Sequence, residues 1–90
     1  MYQNNNMTRQ IERQQTGVRV EKRLLKVLKA LAEYLDMSLG DLLEGIVLHN
    51  FDNKLPFSEA TLQKIEQLKE VYDLDLSAKD SHRLSEEQER

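Results

Sequence analysis

The chain has 90 residues, 39% of them hydrophobic, and a formal net charge of −3. This length allows one domain, and the absence of cysteine excludes disulfides and thiolate metal sites. No apolar run approaches the roughly 18 residues of a membrane span. The polar N-terminus also lacks the apolar stretch of a signal peptide, so we expect a cytoplasmic protein without a membrane partner.

The basic residues are concentrated in the first third of the chain. Residues 1–30 contain seven Lys or Arg against two Glu, a net charge of +5. Residues 31–90 contain six Lys or Arg against fourteen acidic residues, a net charge of −8. This asymmetry favours an anionic partner for the basic end, although charges that only solvate helix faces would give the same count.

The N-terminal part of the chain predicts a polar arm followed by one strand. Residues 1–14 show no periodicity and are expected to be flexible. Residues 15–20 alternate polar and apolar side chains, which is typical of a half-buried strand. No second segment has this pattern, and a lone strand leaves its backbone groups unmatched. The sequence therefore predicts pairing with the same strand of a second copy, in a homodimer, which would also enlarge a small core.

Two amphipathic helices follow and complete a domain over residues 15–53. The first is predicted to begin near Lys22, because apolar residues recur at helical spacing from Leu24 to Leu35. The second is predicted to begin at Ser38, which precedes an acidic residue by three positions and so approaches a capping box.

The C-terminal part is predicted to contain one more helix. Residues 57–73 have a narrow apolar face, and Ser58 is a suitable N-cap. Residues 74–90 are poor in apolar side chains, and we expect them to form a disordered acidic tail because they bury too little surface to offset the entropy of ordering.

The order of strand, helix, short turn and Ser-capped helix resembles the ribbon-helix-helix family of DNA-binding proteins. Residues 36–41 resemble the turn between the two helices of that family. The resemblance implies a mainly α fold with one short strand, paired between chains in a dimer, plus an extra C-terminal helix. The dimer core would contain apolar residues of the strand and both helices: Val18, Val20, Leu24, Leu28, Leu42 and Ile46.

The resemblance implies a sequence-specific transcriptional regulator, a repressor, that inserts a two-stranded antiparallel ribbon into the major groove of double-stranded DNA. The outward strand positions, which would contact base edges, are Gln15, Gly17 and Arg19. Gly17 leaves one of these positions without a side chain. The expected phosphate-binding residues lie at the starts of the two helices: Lys22, Arg23, Ser38, Leu39 and Gly40.

Two other functions fit the same pattern. In an antitoxin, residues 57–90 would bind and neutralise a toxin as protein partner, with four anchors: Leu62, Ile65, Leu68 and Tyr72. Alternatively, a dimer that has lost DNA binding would serve as an interaction module, which Gly17, Asp41 and the net negative charge favour. The sequence shows no catalytic, cofactor-binding or metal-binding motif, so an enzyme is not expected.

Overall fold

A computed structural model describes residues 8–86 as a small bundle of three α-helices. The helices are α1 (Lys22–Tyr34), α2 (Leu39–Phe51) and α3 (Glu59–Val71), and a single 3-10 turn follows at Ala78–Asp80. Helix α1 packs against both other helices, whereas α2 and α3 have no pair of Cα atoms within 8 Å of each other. None of the helices in the described residues is long and apolar enough to cross a membrane.

The predicted strand, and with it the predicted ribbon-helix-helix fold, is wrong. Residues 8–86 contain no β-strand, and residues 8–21 precede α1 without regular secondary structure. Alternating side chains are not sufficient for a strand, because its backbone needs a hydrogen-bonded neighbour and residues 8–86 of the chain supply none. Val18 and Val20 are accordingly 76% and 44% exposed instead of packing inward. The regular secondary structure of residues 8–86 is entirely helical, and without the strand there is no intermolecular ribbon.

The three helices begin where a side chain accepts a backbone hydrogen bond at the first turn. Glu21 caps α1 by accepting from the Leu24 N–H at 2.9 Å. Ser38 caps α2 by accepting from the Asp41 N–H at 3.1 Å, and Ser58 caps α3 in the same way. Each cap satisfies one of the N–H groups that the first turn of a helix leaves without a partner. The predicted starts of the three helices are confirmed.

Each helix also ends in the same way, at a residue with a left-handed backbone. Asp36, Asn53 and Asp73 have φ angles of 60°, 58° and 55°. Asp and Asn tolerate this conformation better than other side chains do, and it allows the last carbonyl groups to be satisfied in a Schellman motif. The closing hydrogen bonds join Met37 N to Ala32 O at 3.0 Å, Lys54 N to His49 O at 2.8 Å, and Leu74 N to Lys69 O at 2.8 Å.

The core lies where α1 meets α2 and α3. Its buried residues are Leu31, Ala32 and Leu42, and Leu31 is only 2% exposed. Half-buried apolar side chains from all three helices and from the loop before α3 surround them: Leu28, Leu35, Ile46, Phe57, Ile65 and Leu68. The described residues contain five buried hydrophobic side chains in total, which is a small core for a chain of this length.

The segment that follows α3 packs against the bundle. The sequence predicted disorder from residue 74 onward, but Leu74 is buried and Leu76 is half-buried. The Ala78–Asp80 turn is closed by a hydrogen bond from the Ser77 N–H to the Asp80 carboxylate at 2.8 Å. The residues 1–7 of the predicted arm and 87–90 of the predicted tail lie outside the described residues.

Gly45, in the middle of α2, provides a test of the surroundings of this helix. A Cβ atom at this position would meet no heavy atom within 4 Å. We expect Gly45→Ala to raise the free energy of unfolding by about 1 kcal/mol, because alanine restricts the unfolded chain and favours the helix. Urea unfolding followed by circular dichroism measures this at fixed protein concentration. A destabilised variant would instead show that another helix approaches Gly45 closely.

Candidate nucleic-acid interface

The exposed side of α1 carries three lysines with the spacing of one helix face. Lys22, Lys26 and Lys29 are separated by four and three residues, and all three are exposed. We call these residues the lysine face. Within the described residues, none of the three forms an ion pair. Seven residues of helix span about 10 Å, so the lysine face presents three charges along a short, straight path.

Arg23 lies beside the lysine face but is occupied by acidic groups. Its Nε donates to Glu21 at 3.0 Å, and its Nη1 donates to Asp75 Oδ1 at 3.1 Å and to the Asp73 carbonyl oxygen at 2.8 Å. The hydrogen bond with Glu21 is the main cause of the raised pKa of Arg23. The Leu24 N–H and then Arg23 hold the pKa of Glu21 below its usual range. Arg23, predicted to bind phosphate, is thus engaged within the chain.

The residues predicted to contact bases lie in the extended segment before α1. Gln15, Gly17 and Arg19 are all exposed, and no backbone ladder holds them in a common direction. Arg19 forms an ion pair with Glu86. Arg19 lies just before the start of α1 in the sequence. Gln15 and Gly17 have no contact that fixes them to the lysine face.

The N-terminus of α2 is surrounded by carboxylates. Ser38, Leu39 and Gly40 were predicted to hold a phosphate there, and the Ser38 hydroxyl accepts from the Asp41 N–H as the cap of the helix. Two acidic side chains lie near this end of α2: Asp41 in its first turn and Glu44 in the next. Such charges disfavour an anion at a helix N-terminus, even though the backbone N–H groups attract one.

Arg13 forms ion pairs with these two carboxylates and offsets one of their two charges. It donates to both oxygens of Glu44, at 2.9 and 2.8 Å, and to Asp41 Oδ1 at 3.2 Å. The hydrogen bond from Arg13 is the main cause that lowers the pKa of Glu44. This arrangement fixes the N-terminal segment against α2. It also removes Arg13 from the positive charges that are free to meet an external anion.

The residues predicted to form a dimer core are divided between the surface and the interior. Leu42 is buried, and Leu28 and Ile46 pack against the core of the same chain. Val18, Val20 and Leu24 remain exposed. The predicted set is therefore not one continuous surface in this structure.

The outer face of α2 is apolar and largely exposed among the described residues. We use this name for four exposed residues: Leu43, Val47, Leu48 and Phe51. Ile11 of the N-terminal segment lines a shallow depression with Leu43, Val47 and Leu48. Because Leu42 and Ile46 face the core, α2 carries apolar side chains around most of its circumference, which is typical of a helix that is covered on both sides.

The residues proposed as anchors for a toxin are partly used within the chain. Ile65 and Leu68 pack against the core, and Tyr72 is half-buried. Leu62 is exposed. Helix α3 therefore has a docking partner in α1, which the sequence alone left undecided.

Lys26 and Lys29 were not among the predicted phosphate-binding residues. The signal was present in their spacing with Lys22, since residues three and four apart share a helix face. Residues 8–86 contain no group of three or more His, Asp or Glu side chains placed to hold a metal ion. Comparisons with models of protein families, with curated proteins and with solved structures found no match to this chain.

Proposed function

We propose that the protein is a DNA-binding transcriptional regulator that contacts the phosphate backbone through the lysine face of α1. The observation that carries this proposal is the row of three exposed lysines without ion pairs in the described residues, in a chain whose other basic groups near α1 are paired. A surface of this kind attracts an anion with closely spaced charges. Double-stranded DNA has about one charge per 1.7 Å of its axis and meets this description.

Sequence preference would come from the residues just before α1. Arg19 and Gln15 are side chains that pair with guanine and adenine edges in the major groove. They belong to an exposed segment that continues into the lysine face, so phosphate contacts by the lysines would place this segment beside the bases. The proposal gives the lysines the role of positioning and Arg19 that of base recognition.

We infer that the protein acts as a homodimer joined through the outer face of α2. The described residues bury few apolar side chains, and a core of this size usually needs a further source of stability. The chain has no cysteine to provide a disulfide. The outer face also offers no free charge that would select a different partner, since Glu44 beside it is paired with Arg13. A second copy is therefore the occupant that fits best, in a two-fold symmetric contact.

The DNA-binding proposal is tested by fluorescence anisotropy of labelled duplexes from upstream of the protein's own gene. We expect binding that weakens as salt rises, because DNA contacts release counterions. Lys26→Gln combined with Lys29→Gln should reduce the slope of log K against log salt by about 0.9 for each lysine that contacts a phosphate. Arg19→Ala should reduce the preference over a duplex of scrambled sequence.

The matched control is Lys54→Gln combined with Lys64→Gln, which removes the same charge from outside the lysine face. Lys54 lies in the loop after α2, and Lys64 lies in α3 with its Nζ over the ring of Tyr34 of α1. Equal losses in the two double variants would assign the binding to overall charge and contradict the role of the lysine face. If the wild-type protein binds no duplex at low salt, the proposed function is wrong.

A further inference from the structure

The segment after α3 returns to the basic end of the chain. Residues 73–86, which we call the C-terminal segment, meet α1 and the residues before it at two places. Near its start, Asp75 and the Asp73 carbonyl oxygen both accept from Arg23, at 3.1 and 2.8 Å. At its end, Glu86 forms an ion pair with Arg19. The segment thus engages Arg19, to which the proposed function gives base recognition, and Arg23, which the sequence predicted to bind phosphate.

The C-terminal segment also carries apolar side chains on the side of α1. Leu74 is buried, and Leu76 and Leu84 line a groove of about 440 Å³ that also includes Leu24 and Val27 of α1. The start of the segment is therefore held by the burial of Leu74 as well as by charge. Leu74 lies between Asp73 and Asp75, so its burial keeps both acceptors of Arg23 close to α1.

We propose that the C-terminal segment is an intramolecular competitor of DNA, whose carboxylates occupy Arg19 and Arg23 in place of DNA groups. This inference rests on the proposed function. Glu86 takes the position beside Arg19 that a base edge would need, and Asp75 takes a phosphate position beside Arg23. DNA binding then requires release of the segment, so the affinity for DNA depends on how firmly the segment is held.

The exposure of the ion pairs makes such release feasible. The side chains of Arg19 and Glu86 are mostly exposed, and so is that of Asp75. Exposed ion pairs contribute little to stability, because water and salt screen them. The phosphates of a duplex are negatively charged like the carboxylates, so they can replace them as partners of the two arginines. The lysine face would hold the duplex nearby. The segment therefore lowers the affinity for DNA without preventing binding.

The first test compares DNA binding by the full chain and by Asp75→Asn combined with Glu86→Gln. We expect the variant to bind the upstream duplex about fivefold more tightly, since two exposed ion pairs no longer compete. The control is Asp52→Asn combined with Glu70→Gln, two exposed acids without an ion pair in the described residues. The control makes the same change in net charge and should tighten binding less.

The outcomes separate this inference from the proposed function. Wild-type binding with no difference between the variant and the control would overturn the competitor and leave the DNA-binding proposal intact. Failure of every form to bind at low salt would overturn both. Thermal unfolding of the variants verifies that the substitutions, all at exposed positions, leave the fold in place.

A direct measurement follows the segment itself. The chain has no cysteine, so a nitroxide label on Ser85→Cys is unique. In the free protein, the amide NMR signals around Arg19 and Arg23 should be broadened by the nearby label. Addition of the upstream duplex should restore these signals as the segment leaves. Broadening that persists in the DNA-bound protein would contradict displacement, and its absence in the free protein would contradict the docked position.

Discussion

Leu31→Ala is expected to lower the free energy of unfolding by about 2–5 kcal/mol. Leu31 is 2% exposed and lies at the centre of the contact between α1 and the other helices, together with Ala32 and Leu42. Its removal leaves a cavity, and the cost depends on how far the neighbouring side chains can close it. A loss of this size is a large fraction of the stability of a small domain, which totals about 5–15 kcal/mol. Urea unfolding followed by circular dichroism measures the change.

The control for this substitution is Leu55→Ala, at a side chain that is 86% exposed. It should change the stability by no more than about 0.5 kcal/mol. All measurements need the same protein concentration, because association with a second copy also contributes to apparent stability. A loss below about 1 kcal/mol for Leu31→Ala would show that the core lies elsewhere.

Val47→Glu is expected to weaken association of two copies by about a hundredfold or more. Val47 is exposed in the single chain, so the substitution should not disturb the fold of one subunit. In the inferred dimer it would place two uncompensated carboxylates in an apolar contact, and a buried charge without a partner costs about 3–5 kcal/mol. Analytical ultracentrifugation across a range of concentrations measures the dissociation constant directly.

Val71→Glu is the matched control, since Val71 is also an exposed valine of a helix, at 67% against 44% for Val47. It lies at the end of α3, away from the outer face of α2, and should leave association unchanged. If the wild-type protein is monomeric at high concentration, or if both variants dissociate equally, the outer face of α2 is not the dimer contact.

The helices could be predicted from sequence because their signals are local. Ser38 and Ser58 are caps that act on N–H groups three residues away, and the apolar spacing of each helix is contained within it. The strand could not be predicted reliably in the same way. Its alternation describes which side chains would face inward, whereas its existence depends on a hydrogen-bonded neighbour that lies elsewhere.

The candidate interface was partly visible in the sequence. The basic balance of residues 1–30 was evident, but the sequence did not show which of these charges are free. Arg13 and Arg23 meet carboxylates that are distant along the chain, at Glu44 and Asp75, and only the tertiary structure brings them together. The family resemblance implied DNA contacts at the strand and at the starts of the helices, and so gave no role to Lys26 and Lys29.

The position of α1 between the other helices has a consequence for how the chain folds. Helix α1 contacts α3 more extensively than it contacts α2, its neighbour along the chain, so the bundle is complete only after the longer loop through α2 has closed. During synthesis α1 and α2 emerge before α3, so they would meet first and form the surface on which α3 docks. Until it docks, Leu31 and Leu42 lack the cover of Ile65 and Leu68. The nascent chain is then most prone to aggregate.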